Sequence, residues 1–145
     1  MKRYVLLSLC MGLLSSCSPR HEEASAEEAT LRVEDAWVRP GHVDGMSALY
    51  FTVINGRGKP DTLGFILVPV ARRVEMHETR TEGGLSGMYP LDRVPIPAHS
   101  RVTFEPGGKH AMLMQLRRDL VAGDTVEAIF IFTQDTLHVK APVRE

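Results

Sequence analysis

Turn-forming residues interrupt the chain repeatedly from Leu31 onward and leave room only for short secondary-structure elements. None of the segments between the turns has a convincing helical period, and many are rich in β-branched and aromatic residues. A succession of short strands at this spacing predicts an all-β domain, either a β-sandwich or a small barrel. The turns are expected at Pro40-Gly41, Asn55-Gly56, Gly83-Gly84, Pro106-Gly107-Gly108 and Gly123-Asp124.

Nine strands are predicted, at residues 31–38, 47–55, 62–70, 73–79, 85–89, 100–105, 110–116, 124–133 and 136–142. The segment TVEAIFIF at 125–132 is apolar in its second half, which predicts a strand buried on both faces. Trp37 is predicted to anchor the core, although an aromatic ring beside a metal site can also shield the metal from solvent.

The first sixteen residues have the features of a bacterial lipoprotein signal peptide. Lys2 and Arg3 form a positive n-region, and residues 4–14 form an apolar segment too short to span a bilayer. Leu14-Ser15-Ser16-Cys17 then resembles a lipobox, in which the cysteine is acylated and becomes the mature N-terminus. The alternative is an ordinary secretory signal with an incidental cysteine. We expect a periplasmic or otherwise extracytoplasmic protein held at a bacterial membrane through lipid on Cys17.

The predicted domain organisation has three parts. Residues 1–16 are the signal peptide, and residues 17–30, which are polar and rich in Glu, Ala and Ser, form a lipid-anchored flexible tether. A helix is the alternative for EEASAEEA at 22–29, but that segment lacks an apolar stripe. Residues 31–145 form the single β-sandwich domain.

Charge and cysteine content exclude several classes of protein. The formal net charge is −1, and removing Lys2 and Arg3 with the signal peptide changes it to −3. No dense basic patch for nucleic acid is therefore expected. The two cysteines are Cys10 and Cys17, so the domain from Leu31 onward has no thiol, no disulfide and no Cys-x-x-Cys redox motif.

Histidine and methionine fall in a pattern that suits copper(I). His110 and Met112 are two apart in a predicted strand and so project from the same face. His77 and Met88 lie on either side of a predicted turn at residues 81–84, and a hairpin there would bring them close. Thioether sulfur is a soft, neutral ligand, whereas calcium and magnesium take oxygen ligands and zinc prefers thiolate, imidazole and carboxylate. Thioethers also resist the disulfide formation that affects thiols outside the cytoplasm.

The spacing of these four residues, H-x10-M-x21-H-x-M, resembles that of the PCuAC family of periplasmic copper chaperones. Flanking segments are similar as well: DAWVR at 35–39, VEMHET at 74–79, PGGKHAMLMQL at 106–116 and GDTV at 123–126. The resemblance covers about residues 31–143. It implies a cupredoxin-like β-sandwich that binds one copper(I) ion per chain through His77, Met88, His110 and Met112. It also implies delivery of copper to the copper-site subunit of a respiratory cytochrome oxidase, alongside a Sco-type or thioredoxin-like thiol protein.

Other methionines and histidines have ordinary interpretations. Met76 alternates away from His77 and is expected to face the core, whereas Met114 shares a face with Met112 and is either a reserve ligand or a residue beneath the site. Nothing requires Met46 at the site. The remaining histidines have no spaced partner and are expected to be solvated: His21, His42, His99 and His138.

The sequence argues against some competing functions more strongly than against others. A blue-copper electron carrier needs a cysteine thiolate, which the domain lacks. No catalytic triad, phosphate loop or paired-carboxylate motif is evident, so we expect a protein that is not an enzyme. A copper storage, resistance or sensing lipoprotein that uses the same site remains the alternative to a delivery chaperone.

Overall fold

A computed structural model describes residues 30–145, so the predicted signal peptide and most of the predicted tether lie outside the described residues. Within that range the chain forms ten β-strands and no helix. No helix among the described residues is therefore long and apolar enough to cross a membrane. The strands are β1 (Leu31–Val38), β2 (Met46–Asn55), β3 (Asp61–Leu67), β4 (Ala71–Glu82), β5 (Leu85–Pro90), β6 (Val94–Ile96), β7 (Ser100–Phe104), β8 (Lys109–Leu116), β9 (Thr125–Phe132) and β10 (Thr136–Pro142).

The strands form two antiparallel sheets. The first has the order β1-β2-β8-β4-β5, and β7 pairs with the part of β2 that β8 leaves free. The second has the order β10-β9-β3-β6. An isolated bridge between Val38 and Val143 connects the end of β1 to the segment after β10. The predicted β-sandwich is confirmed.

Large apolar side chains from both sheets meet in one core. Phe51 of β2 stacks on Phe104 of β7 with ring centroids 4.2 Å apart, and it meets Phe130 of β9 edge-on at 4.7 Å. All three rings are buried. Such aromatic pairs stabilise beyond the apolar area that they bury, by about 0.5–1.5 kcal/mol each. The Phe51–Phe130 contact therefore fixes one sheet against the other.

Three sequence predictions need correction. The short strand β6 was not predicted because Pro95 interrupts its pattern, and it pairs only with β3 at a sheet edge, where proline is tolerated. The strand β9 is not buried on both faces: Ile129 and Ile131 are only half-buried. They lie on the outer face, opposite the exposed Leu67 and Phe65 of β3.

Trp37 is the third correction, because its ring is not part of the buried core. It is half-buried, tilts against Tyr50 with centroids 4.7 Å apart, and carries the Arg144 guanidinium 5.0 Å from its ring centre. A cation over an indole face is attracted by the ring quadrupole. The single tryptophan thus closes the outer side of the first sheet near the C-terminal segment.

Candidate metal centre

The strand β4 lies between β8 and β5, and this position joins the chain segments that carry the four predicted ligands. His77 of β4 is directly opposite His110 of β8 in the antiparallel register. The two imidazole rings are nearly perpendicular, at 82°, with centroids 5.9 Å apart. Metal–nitrogen bonds of about 2 Å allow two imidazoles that share one ion to have centroids up to roughly 6 Å apart. The two rings are therefore spaced to bind a single ion.

Alternation along β8 separates the core from the candidate site. Ala111 and Leu113 are fully buried in the core, so His110 and Met112 project from the opposite face. His110 is nevertheless 7% exposed, and Met112 is half-buried. The predicted pairing of these two side chains on one face is confirmed.

A hairpin with a two-residue turn places Met88 on the same face as His77. Gly83 and Gly84 have φ angles of +58° and +83°, which glycine adopts without the strain that a Cβ would add. Met88 of β5 is consequently opposite Thr79, which is two residues from His77 on β4. Cross-strand partners share a face, so Met88 lies diagonal to His77. Its side chain is 58% exposed.

The turn before β8 determines which nitrogen His110 offers. Its Nδ1 lies 3.1 Å from the carbonyl oxygen of Gly108, which also accepts a hydrogen bond from the backbone N–H of Thr79 at 3.1 Å. Because a carbonyl can only accept, Nδ1 of His110 carries the proton and Nε2 keeps its lone pair. The Nε2 atom is therefore the nitrogen that can bind a metal.

His77 has one imidazole nitrogen without a partner. Its side chain is only 13% exposed, and Nδ1 is buried and makes no hydrogen bond. The other nitrogen, Nε2, lies 3.2 Å from Oε2 of Glu75. A buried imidazole nitrogen without a partner is costly, because it loses its bond to water and gains none. A bound metal ion would compensate for that loss.

The ligand chemistry agrees with copper(I). Within residues 30–145, no group of three His, Cys, Asp or Glu side chains is arranged to hold a metal. Two imidazoles alone make a poor site for calcium, magnesium or structural zinc, and Met88 and Met112 add thioethers on the same face. The carboxylate of Glu75 is also on this face, but its two oxygens already contact Arg73 and the His77 ring. The donor set therefore fits a soft monovalent ion.

The structure also shows where the other methionines and histidines of the described residues lie. Met76 is 6% exposed and belongs to the core, as predicted. The sulfur of Met114 accepts hydrogen bonds from Nε and Nη2 of Arg73, at 3.3 Å and 3.2 Å, so its lone pairs already have a partner. Met46 is 65% exposed and opposite Met114 in the register. The histidines predicted to be solvated are exposed at His42, His99 and His138, and His21 lies outside the described residues.

An ionic cluster supports the last β4–β8 pair beside the site. Glu78 is opposite Lys109, and its carboxylate accepts hydrogen bonds from Lys109 Nζ at 2.6 Å and Arg80 Nε at 2.7 Å. These two cations, Lys109 first, lower the pKa of Glu78 below its ordinary value. The carboxylate therefore stays charged at neutral pH and holds β4 to β8 next to His77.

Sequence reasoning missed Glu75 and Arg73, two charged residues on the same strand face as His77. Glu75 contacts His77, and Arg73 contacts both Glu75, at 3.2 Å, and Met114. The signal was available, because residues 73, 75 and 77 alternate with 74 and 76 and must share one face of a strand.

Fold and site together define a β-sandwich that presents a face of imidazole and thioether donors at one sheet. The family described as "Putative lipoprotein LpqE-like" matches residues 31–143, and the chain belongs to this family. The chain is 33% identical over 124 residues to "Uncharacterized protein RP573" of Rickettsia prowazekii, and the match covers 82% of this chain and 68% of that protein.

Two solved structures confirm the resemblance to PCuAC domains. One is the "Copper-bound PCuAC domain from PmoF2", with 26% identity, a TM-score of 0.66, and coverage of 79% of this chain and 92% of that chain. The other is the solution structure of CuI-DR1885 from Deinococcus radiodurans, with 32% identity, a TM-score of 0.62, and coverage of 83% and 84%. Both are copper-bound proteins.

Proposed function

We propose that this protein is a copper(I) chaperone that binds one ion through His77, Met88, His110 and Met112. The observation that carries the proposal is the common face: the register of β4, β5 and β8 places all four side chains on one side of one sheet. The buried, unpartnered Nδ1 of His77 supports it. The copper-bound PCuAC structures that resemble this chain support the identity of the ion.

Exposure of one ligand favours delivery over storage. Met88 is 58% exposed on β5, whereas both histidines are largely buried. Ligand exchange requires an incoming donor to reach the metal before the last donor leaves. A thiolate from a recipient can replace Met88 first, since thiolates bind copper(I) more strongly than thioethers do. A storage protein would gain nothing from exposing a ligand in this way.

The recipient that we propose is the copper-site subunit of a respiratory cytochrome oxidase. The domain from Leu31 onward has no cysteine, so it cannot reduce a disulfide in its target. A Sco-type or thioredoxin-like protein would have to supply the reduced thiols first. The copper-loaded protein should then pass its ion to a dithiol by exchange, without an energy source or catalysis.

The transfer test uses an oxidase copper-site domain with its cysteine pair either reduced or oxidised. The copper(I)-loaded protein is mixed with each form, and the copper on each protein is measured after separation. We expect transfer to the reduced form only. Efficient transfer to the disulfide form without added reductant, or no transfer to the dithiol, contradicts the proposed mechanism.

A competition titration tests the metal. Copper(I), and silver(I) as its analogue, should bind at one ion per chain and far more tightly than zinc. Met88→Leu and Met112→Leu should each weaken binding by about tenfold or more, which is about 1.4 kcal/mol per factor of ten. The matched control is Met76→Leu, which changes a core methionine and should leave affinity nearly intact. Equal affinities for zinc and copper(I) contradict the assignment.

We also propose that acylation of Cys17 holds the protein at a membrane outside the cytoplasm. The family description names lipoproteins, and Cys17 follows an apolar segment that ends on small residues. Radiolabelled palmitate should enter the wild-type protein and not Cys17→Ala, which should leave the membrane fraction. Membrane partition that is unchanged in Cys17→Ala contradicts the anchor.

A further inference from the structure

The contact between Glu75 and His77 determines how the histidine can bind a metal. Oε2 of Glu75 lies 3.2 Å from Nε2 of His77, while Nδ1 of the same ring is buried without a partner. A carboxylate oxygen next to an unprotonated nitrogen would place two lone pairs against each other. The contact is attractive only when Nε2 carries the proton. Glu75 therefore favours the neutral tautomer in which Nδ1 holds the free lone pair.

Arg73 holds the carboxylate in this position. Its Nε lies 3.2 Å from Oε1 of Glu75, so the two carboxylate oxygens have different partners, one cationic and one on the imidazole. The same guanidinium contacts the sulfur of Met114. Arg73 thus fixes Glu75 and keeps Met114 from competing as a ligand.

We propose that Glu75 is a positioning residue that makes His77 bind copper(I) through Nδ1, whereas His110 binds through Nε2. The inference rests on the proposed copper function and deepens it. A carboxylate that accepts the second ring proton of a metal-bound histidine fixes ring orientation and raises ligand basicity.

The two histidines bind through different nitrogens because a different acceptor contacts each ring. For His110 the acceptor is the Gly108 carbonyl, which contacts Nδ1. For His77 the acceptor is the Glu75 carboxylate, which contacts Nε2. Two facing histidines on adjacent strands could otherwise use the same nitrogen. The mixed pair is thus a specific signature that a purely structural role for Glu75 would not produce.

The test is nitrogen NMR of the full-length protein in detergent micelles, with 15N-labelled histidine. Without metal, His77 should show a protonated Nε2 and an unprotonated Nδ1. On addition of silver(I), the Nδ1 signal of His77 and the Nε2 signal of His110 should shift. Glu75→Leu should mix the His77 tautomers and weaken copper(I) binding by about 10–100-fold. Glu75→Gln retains an accepting oxygen and should largely restore both the tautomer and the affinity.

A second histidine–carboxylate pair provides the matched control. Glu127 contacts Nδ1 of the exposed His138 at 2.9 Å on the other sheet, so Glu127→Leu should leave the His77 signals and copper affinity unchanged. Silver binding through Nε2 of His77, or an unaltered tautomer in Glu75→Leu, overturns the role of Glu75 alone. No silver shift at either histidine of the wild type overturns the proposed copper site as well.

Discussion

Met88 lies in a much less closely packed region than the other three proposed ligands. His77, His110 and Met112 are on strands with neighbours on both sides, above the buried Leu113. Met88 lies on the hairpin formed by residues 79–90. The pairing of β4 with β8 ends at Glu78–Lys109, and beyond the hydrogen bond from Thr79 N–H to the Gly108 carbonyl the described register pairs β4 with β5. We call this hairpin the arm. Most of its residues are exposed, whereas the sheet below the histidines is closely packed.

This difference in packing suggests that the sheet holds the ion and that the arm controls its release. A two-stranded ribbon with little buried apolar area is marginally stable by itself. Such regions open locally at a lower free energy than a packed sheet. The sheet therefore keeps three donors in fixed positions, while opening of the arm withdraws one donor and admits a recipient ligand. Affinity and release rate can then be changed independently, by substitutions in different regions.

The largest expected contrast is in folding stability. Leu113 is fully buried beneath the site, so Leu113→Ala should lower the free energy of unfolding by about 2–5 kcal/mol. Met88→Leu changes an exposed side chain on the arm and should alter it by less than about 0.5 kcal/mol. Urea unfolding of the two variants measures both values. Similar losses in the two variants would show that the arm is part of the cooperative core.

An intermediate contrast is expected in backbone opening. Amides of the arm that pair β4 with β5, such as those near Arg80 and Gly87, should exchange with solvent at least roughly tenfold faster than those of β8 near Leu113. Bound silver(I) should slow exchange in the arm and leave β8 nearly unchanged, because only the arm gains a connection to the sheet. Hydrogen exchange followed by NMR provides the measurement, and equal protection of both regions contradicts the comparison.

The smallest contrast concerns acid stability of the sheet framework. Arg57 Nη1 contacts Asp135 Oδ2 at 2.5 Å, and this hydrogen bond lowers the pKa of Asp135. A depressed carboxyl pKa adds stability above the ordinary value of about 3.9, and that stability is lost as the pH falls through the folded-state pKa. Asp135→Asn should thus be slightly less stable than wild type at pH 7, with a smaller difference near pH 3. Thermal melts at both pH values test this, and copper affinity at pH 7 should not change.

The parts of the fold predicted from sequence are those with local signals. Gly83-Gly84 identified the β4–β5 hairpin, and the two-residue period of β8 identified the shared face of His110 and Met112. By contrast, β6 contains only three residues with Pro95 in the middle, and no local pattern distinguishes it from a loop. The sequence predicted burial of Ile129 and Ile131 from their hydrophobicity, whereas both are half-buried on the outer face, opposite the exposed Leu67 and Phe65.

The candidate site required long-range information as well. His77 and His110 meet because β4 pairs with β8, a neighbour that is distant in sequence, and no periodicity predicts that register. Only the fixed spacing, taken through its resemblance to a family, connected the two histidines in advance. Glu75 and Arg73 were not predicted because neither side chain is a typical copper(I) ligand, although both lie on the same strand face as His77.

The most direct test of the account is X-ray absorption of the copper(I)-loaded protein at the copper edge. The account predicts two sulfur and two nitrogen donors in the wild type, and one sulfur fewer in Met88→Leu. Met114→Leu should retain both sulfurs, because Arg73 occupies that thioether. A sulfur count that falls in Met114→Leu and not in Met88→Leu would contradict both the ligand set and the division between sheet and arm.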